Sequence, residues 1–460
     1  MEKTEPKIPD WFVPRGYQID AINKWCENNH CGIFSMATGT GKTLTAILSI
    51  LKLKESNNSF LTIVLCPYVN LVDQWVKEFE KFSFAPIQCY SKYPGWKGKV
   101  SNKVSQLNRN VDNSPVFVMS NSSFVLDDTQ DIINRCKKDI FIIVDEAHYA
   151  GAESLSKYLD QRFKFRLGLT ATPNRYFDDS GTSFILRYFQ GEVFTFDLRQ
   201  AIEGGFLTPY YYYPAKVYMT NEEFFEYRDY SEKIAKIGSK NLNDSQIAYK
   251  EILLQKRAKI IYAAFNKLDK LREVISKYQN EKNILVYCGA TDSTFEDSKS
   301  QIENVCKILG SEFGMSIGKY TYEESIEERS RILDRFENDK MLQALVAIKC
   351  LDEGVDIPSV QTAIIISSST NPKEYIQRRG RVLRKFEGKE FSTIVDFVVV
   401  PPRISKHYDL ENIVNSIITK EARRVKDFAE LALNHKECDD FIDGMFTEFG
   451  VTNKNGGKNG

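Results

Sequence analysis

A chain of 460 residues is long enough for two or three domains, and a hydrophobic content of 42% is sufficient for buried cores. Lys plus Arg and Asp plus Glu both number 62, so the net charge neither favours nor excludes a polyanionic partner, and any nucleic-acid surface must be local. The nine cysteines include no Cys-x-x-Cys pair, and no apolar run approaches the roughly 18 residues of a membrane span. This composition argues against a membrane-spanning chain and a disulfide scaffold, and it favours a cytoplasmic protein.

The first predicted element is a helix that begins at about Tyr17, with Ile19 and Ile22 on one face. Gln18 lies within this helix. A planar amide can pair with both the donor and the acceptor of adenine. Gln18 is therefore either an ordinary exposed residue or a reader of a base edge.

A glycine-rich loop comes next, between residues 29–34, an apolar run that favours a buried strand, and residues 44–51, which have helical spacing. The loop residues are Thr38, Gly39, Thr40, Gly41, Lys42 and Thr43, preceded by Met36 where Gly or Ala is usual. Such a loop points backbone N–H groups at phosphates and adds the partial positive charge of a helix N-terminus. Its lysine and hydroxyl suit the terminal phosphates and Mg²⁺, so we expect a nucleotide here.

Three further segments extend the α/β pattern. Residues 60–66 predict a buried parallel strand, residues 70–79 an amphipathic helix, and residues 116–119 another strand. The polar segment 90–114 between them favours a solvated surface over a nucleic-acid contact.

Two adjacent carboxylates, Asp145 and Glu146, follow the apolar strand predicted at 139–144. Carboxyl ends of strands in an open α/β sheet are where ligands bind. One carboxylate can hold Mg²⁺ while the other orients or deprotonates a water molecule. The alternative role for Asp145 is a helix N-cap. The next strand, at 165–173, ends in Thr170 and Thr172, whose hydroxyls can link a nucleotide site to another surface.

The middle and the end of the chain have a different character. Residues 221–280 have helical spacing, and the run Tyr210–Tyr213 predicts a partly buried strand in preference to a base-stacking surface. A charged helical stretch lies near the C-terminus, and the Gly/Asn/Lys tail is expected to be disordered. His435 and Cys438 form the nearest approach to a metal pair, but zinc needs three or four ligands.

Six segments in this order resemble the motifs of superfamily 2 helicases of the DEAH-box type. They are 38–43, 145–148 (Asp-Glu-Ala-His), 170–173, 283–289, 344–358 and 377–384. The resemblance implies an α/β fold with two tandem RecA-like lobes, a helical bridge and a helical C-terminal extension. The implied domains are lobe 1 at 8–205, linker and bridge at 206–281, lobe 2 at 282–402, the extension at 403–452 and a disordered tail at 453–460.

The resemblance also implies roles for individual residues. ATP would be the nucleotide, with Arg15 and Gln18 at adenine and Lys42 at the β- and γ-phosphates. Thr43 and Asp145 would hold Mg²⁺, and Glu146 would orient or activate water. The remaining implied roles are contact with the γ-phosphate for Gln377, Arg381 and Arg384, a position at the lobe interface for Gly354 and Asp356, and coupling to nucleic acid for His148, Thr170 and Thr172.

The expected function is therefore that of an ATP-dependent helicase or translocase. The amino-acid sequences of the loop and of residues 351–358 are more similar to those of restriction-enzyme motor subunits and DNA-repair helicases than to those of RNA-directed DEAD-box proteins. This resemblance favours duplex DNA over RNA. No nuclease constellation is visible, so a separate nuclease or effector subunit in a restriction or phage-defence complex is expected. The alternatives are an RNA helicase and a nucleotide-controlled interaction subunit.

Overall fold

A computed structural model describes residues 5–171, 178–238, 242–289, 295–321, 323–339, 341–348, 357–367, 372–403 and 410–451, although not the side chains of 295–300, 326, 372–375 and 377. The chain divides into two compact units, Met1–Leu207 and Thr208–Gly460. Each unit is built on one parallel sheet. No helix in the described ranges is both long enough and apolar enough to cross a membrane.

Unit 1 contains a seven-stranded sheet in the order β3-β4-β2-β5-β6-β1-β7, with every neighbouring pair parallel. Its strands are β1 Cys31–Met36, β2 Phe60–Cys66, β3 Ile87–Cys89, β4 Val116–Ser120, β5 Asp139–Val144, β6 Phe165–Thr170 and β7 Glu192–Phe196. Its helices are α1 Gly16–Glu27, α2 Lys42–Ser56, α3 Val69–Lys81, α4 Trp96–Asn108, α5 Asn121–Phe124, α6 Asp127–Asn134, α7 Glu153–Ser156, α8 Asp179–Tyr188 and α9 Leu198–Glu203, with a 3₁₀ turn at Ala147–Gly151. The central strands β1, β2 and β4 are buried along their whole length, which is typical of a parallel sheet covered on both faces.

Helix α4 departs from the expectation of a solvated segment at 90–114. Trp96, Val100, Val104 and Leu107 recur every three or four residues, and all four are buried in the core of unit 1. The intervening residues are polar, so the low average hydropathy conceals a helix with one apolar face. The expectation is therefore wrong for that face.

Unit 2 contains a six-stranded parallel sheet in the order β10-β11-β9-β12-β13-β8. Its strands are β8 Tyr210–Tyr218, β9 Ile284–Tyr287, β10 Ile317–Tyr320, β11 Ala344–Ala347, β12 Thr362–Ile365 and β13 Ser392–Val400. Its helices are α10 Asn221–Ile237, α11 Asp244–Tyr262, α12 Lys267–Tyr278, α13 Phe295–Lys307, α14 Ile326–Glu337, α15 Pro372–Val382, α16 Glu411–Ala429 and α17 His435–Phe449, with a π-helical turn at Ile308–Glu312. Two parallel sheets flanked by helices, together with the helical C-terminal region, confirm the predicted fold class.

The tyrosine run belongs to this second sheet. Strand β8 pairs with β13, and Tyr210 and Tyr212 point into the core while Tyr213 is partly exposed. The outer edge of β8 is covered by the segment that joins α16 to α17, because the Asn434 amide bonds to both the N–H and the carbonyl of Tyr212, at 2.9 Å each. The C-terminal helices are therefore packed as part of unit 2, where they protect a sheet edge that would otherwise pair with another chain.

A buried charge network joins α16 to the sheet. Arg424 bonds to Asp396 on β13 and to Glu421 at 2.5 Å, and the Tyr212 hydroxyl donates to Asp396 at 2.9 Å. Asp396, Glu421 and Arg424 are each at most 6% exposed. The pairing compensates for the cost of removing these charges from water.

We expect Asp396→Ala to lower the free energy of unfolding by about 3–5 kcal/mol, because it leaves Arg424 buried with one carboxylate in place of two. Urea unfolding of the full chain measures this. The triple variant Asp396→Leu/Glu421→Leu/Arg424→Met is the control, since it replaces all three buried charges by apolar groups and should lose less. A single variant within 1 kcal/mol of the wild type would contradict the assigned role of the network.

Candidate functional site

The glycine-rich loop lies between β1 and α2, at the carboxyl end of its strand. Gly39 and Gly41 have φ angles of +88° and +86°, a region that residues with a Cβ rarely adopt, so glycine is needed at both positions. Lys42 begins α2, and its Nζ donates to the carbonyl of Met36 at 3.0 Å. The Lys42 side chain therefore bonds back to the backbone at the end of β1, across the loop.

One buried hydroxyl in the loop is available to a ligand. Thr38 Oγ1 has no hydrogen-bond partner among the described residues, whereas Thr40 Oγ1 donates to the carbonyl of Ala37 at 2.7 Å. An unsatisfied buried hydroxyl costs about 1–3 kcal/mol, and a phosphate oxygen would relieve that cost.

Helix α1 supports the loop from the side. The Tyr17 hydroxyl donates to the carbonyl of Thr40 at 2.6 Å, and Gln18 Nε2 donates to Thr45 Oγ1 at 3.3 Å. Gln18 is only 1% exposed, so it is not an ordinary exposed helix residue. Its Oε1 accepts the backbone N–H of Arg15 at 2.9 Å, and the Arg15 guanidinium lies 5.0 Å from the ring centre of Phe206. Arg15 and Gln18 thus lie beside the loop.

The two carboxylates stand after β5, which lies two strands from β1 in the sheet. Asp145 Oδ2 accepts the indole N–H of Trp75 at 2.8 Å, and Oδ1 accepts the backbone N–H of Glu146 at 2.9 Å. Burial raises the pKa of the Asp145 carboxyl above its ordinary value, while the Trp75 hydrogen bond and the Lys42 charge lower it in opposition. Asp145 caps no described helix through its side chain, so the N-cap alternative is not supported.

Glu146 has a left-handed backbone, with φ +46° and ψ +56°. Such a conformation costs a residue other than glycine about 1–3 kcal/mol and is concentrated at functional sites. It turns the chain sharply after Asp145. Glu146 Oε2 then lies 3.4 Å from His148 Nδ1, and the same nitrogen lies 3.5 Å from Thr170 Oγ1 at the end of β6. The predicted residues Glu146, His148 and Thr170 are therefore brought together at one end of the sheet.

The oxygen atoms of Thr43 and Asp145 are hard ligands of the kind that Mg²⁺ prefers. The hydroxyl belongs to the first turn of α2, and the carboxylate stands at the same carboxyl edge of the sheet. The chemistry of these two donors therefore fits Mg²⁺, which Thr43 and Asp145 would hold. No group of three or more His, Cys, Asp or Glu side chains suited to a metal occurs in the described part of the chain, at this site or at any other.

Helix α15 of unit 2 carries the arginine run. Arg378 and Arg379 are buried, and Arg379 Nη1 donates to the carbonyl of Asp427 at 2.7 Å. Arg381 and Arg384 are partly exposed, and burial lowers the pKa of Arg384 to about 10. The run thus divides into Arg378 and Arg379, which are buried, and Arg381 and Arg384, which are half-buried. Of the remaining predicted positions, Thr172, Gly354, Asp356 and the side chain of Gln377 lie outside the described residues.

The C-terminal end of α15 is held by a buried lysine that the sequence analysis did not identify. Lys389 Nζ donates to the carbonyls of Val382 at 2.6 Å and Arg384 at 3.1 Å. Thr208 donates to two carbonyls of the same segment: its N–H to that of Leu383 at 2.7 Å, and its hydroxyl to that of Arg384 at 3.2 Å. A cation at this position also complements the helix dipole. A lysine between Gly388 and Glu390 gives no sequence signal of burial.

We expect Lys389→Met to flatten the pH dependence of stability. Burial lowers the pKa of Lys389 from 10.5 to about 7 in the folded protein. Between about pH 7 and 10 the unfolded chain therefore binds a proton that the folded chain has released, and the free energy of unfolding rises with pH. Urea unfolding at pH 6.5 and 9 measures this. The free energy of unfolding of the wild type minus that of Lys389→Met should be larger at pH 9 than at pH 6.5. A constant difference would show that Lys389 does not titrate in this range.

Two family models and a DNA translocase are similar to this chain in sequence. The family model described as "Type III restriction enzyme, res subunit" matches residues 12–175, and "Helicase conserved C-terminal domain" matches residues 266–386. Over 401 residues the chain is 27% identical to the DNA 3'-5' translocase XPB2 of Sulfurisphaera tokodaii, which covers 83% of this chain and 80% of that protein.

Restriction enzymes are similar to this chain as well. It is 25% identical over 404 residues to the type I restriction enzyme EcoAI endonuclease subunit of Escherichia coli, a match that covers 84% of this chain and 46% of that subunit. The structure of the ATP-dependent type ISP restriction-modification enzyme LlaBIII bound to DNA aligns with a TM-score of 0.64 at 17% identity, over 96% of this chain and 33% of that one. The chain thus spans less than half the length of these two restriction enzymes. Together, the two parallel sheets, the ordered motifs and both family models support a superfamily 2 helicase related to restriction-enzyme motors and repair helicases.

Proposed function

We propose that this chain is a nucleic-acid-stimulated ATPase that acts as a DNA helicase or translocase. The observation that carries the proposal is the convergence in unit 1 of the glycine-rich loop, Asp145, Glu146 and the His148–Thr170 contact at one edge of a parallel sheet. A phosphate cradle with a neighbouring pair of carboxylates suits phosphoryl transfer to water.

The proposed roles follow from the contacts. Lys42 would release Met36 and neutralise the β- and γ-phosphates, while Thr43 and Asp145 would hold Mg²⁺, which supplies charge neutralisation at the phosphates. Glu146 would orient water. His148 would couple the position of the Glu146 side chain to that of Thr170, because its Nδ1 lies near both side chains.

In unit 2, Arg381 and Arg384 would contribute to the γ-phosphate site in trans to the loop, together with Gln377, while Gly354 and Asp356 would lie at the lobe interface. Thr172 would join His148 and Thr170 in coupling. An arginine supplied to the γ-phosphate by a separate lobe, an arginine finger, makes hydrolysis depend on lobe closure. Repeated closure and release then moves one lobe along the nucleic acid.

We propose duplex DNA as the track and a restriction or antiviral-defence complex with a separate nuclease subunit as the setting. The support is the similarity to a DNA translocase and to restriction enzymes. Because this chain spans only part of the restriction enzymes, a nuclease could be supplied by another chain or by further sequence.

ATP turnover should rise when duplex DNA is added, and rise less with single-stranded DNA or RNA. Phosphate release measured with each polynucleotide and with none tests this. Greatest stimulation by RNA would favour an RNA helicase. Turnover unchanged by any polynucleotide would contradict the motor and favour a nucleotide-controlled interaction subunit.

A further inference from the structure

The indole of Trp75 makes a direct contact with the carboxylate proposed to hold Mg²⁺. Trp75 lies on α3, is 1% exposed, and donates its N–H to Asp145 Oδ2 at 2.8 Å across 70 residues of sequence. The other oxygen, Oδ1, accepts the backbone N–H of Glu146 at 2.9 Å. Both oxygens of Asp145 are therefore fixed by donors from different elements, and the plane of the carboxylate is defined.

The packing of Trp75 makes it a rigid donor. Its ring lies 5.7 Å from that of Phe79, one turn further along α3, and both side chains are almost fully buried. An indole has one N–H donor and no acceptor, so in its hydrogen bond with the carboxylate it can only be the donor. A tyrosine or histidine in its place could rotate or exchange roles, whereas a packed tryptophan holds one geometry.

A fixed carboxylate benefits a metal ligand. Groups that orient metal-binding side chains typically contribute 10–100-fold to metal affinity, because the ligand then loses little freedom on binding. Each of the two held oxygens keeps lone pairs for other partners, since a carboxylate offers about four acceptor positions. The Trp75 hydrogen bond therefore leaves Asp145 able to bind a metal ion or its water.

We propose that Trp75 is a positioning residue that orients the Asp145 carboxylate for Mg²⁺ and so sets the affinity of the metal–nucleotide complex. The inference rests on the proposed role of Asp145 as a metal ligand. The single N–H of Trp75 is taken up by Asp145, so its effect would pass through that carboxylate.

The chain offers a matched control in Trp25. This residue is also fully buried in unit 1, and its indole N–H donates to the carbonyl of Arg166 at 3.0 Å. Trp25→Phe and Trp75→Phe remove the same atoms from buried positions of the same unit, but only Trp75→Phe removes a bond to Asp145. A loss of core packing should therefore lower the stability of both variants, while a change in metal affinity should appear in one.

The test measures Mn²⁺ binding to the full chain by electron paramagnetic resonance, with a non-hydrolysable ATP analogue present. We expect Trp75→Phe to weaken Mn²⁺ binding about 10–100-fold, and Trp25→Phe to leave it unchanged. Raising the Mg²⁺ concentration should restore the ATP turnover of Trp75→Phe, which separates an effect on metal affinity from an effect on kcat. Benzothienylalanine at position 75, which keeps the shape of tryptophan and lacks the N–H, provides a second variant if phenylalanine prevents folding.

Equal Mn²⁺ affinity in wild type and in the variants at position 75 would overturn the proposal, as would equal weakening in Trp25→Phe. Asp145→Asn separates this failure from a failure of the proposed function. If Asp145→Asn weakens Mn²⁺ binding and Trp75→Phe does not, the metal site stands and Trp75 has only a structural role. If Asp145→Asn has no effect, the metal assignment itself is wrong, and the role of Trp75 with it.

Discussion

Glu146→Gln should reduce ATP turnover by about 10²–10⁴-fold while leaving nucleotide affinity close to that of the wild type. The amide keeps the size and shape of the side chain, but it cannot accept a proton or hold the negative charge that orients water. Glu146 lies beside His148 and directly after Asp145, and the proposed role of Glu146 concerns water and not the adenine base. Turnover by phosphate release and affinity by fluorescent-nucleotide titration measure the two effects separately.

Glu153→Gln is the control for this change, because Glu153 is an exposed carboxylate of the same unit, at the start of α7. It should retain turnover. A Glu146→Gln variant with turnover within a factor of two of the wild type would exclude Glu146 as the group that activates water, and with it the motor function.

Arg381→Ala and Arg384→Ala should each lower turnover by roughly 10³-fold with unit 2 still folded, because an arginine that stabilises the transferring phosphoryl group contributes 10³–10⁵ in rate. Burial lowers the pKa of Arg384 to about 10, which still leaves it charged at neutral pH. Single-turnover measurements with duplex DNA present test the prediction.

The contrasting variant is Arg379→Ala, two residues before Arg381. Arg379 is buried, bonds to the carbonyl of Asp427 and lies 5.4 Å from the ring centre of Phe428, so its loss should reduce the stability of the α15–α16 packing. Exposed Arg403→Ala controls for charge and should keep full turnover. Normal turnover in both Arg381→Ala and Arg384→Ala would exclude these two arginines as the groups that stabilise the transferring phosphoryl group.

Regular elements with a strong local signal could be predicted from the sequence. Strands β2 and β5 begin and end where their apolar runs do, and the glycine-rich loop and the two carboxylates lie at strand ends as their spacing indicates. These features depend on neighbouring residues only, so local composition is enough. Where one face of an element decides its burial, composition misleads. Helix α4 was hidden by its polar residues, and Ile19 is 47% exposed although it was paired with buried Ile22.

The sequence by itself determined the chemistry available to this protein: a phosphate loop, a pair of carboxylates and a late run of arginines. Only the tertiary structure decided which of those groups are buried and which of them lie near one another. It buried Arg379 and exposed part of Arg381, and it placed the Trp75 indole on Asp145, 70 residues away, and the Tyr212 hydroxyl on Asp396, 184 residues away. The reason is physical. Periodicity and turn chemistry are local properties of the chain, whereas a hydrogen bond between distant residues exists only after the sheets have brought their elements together.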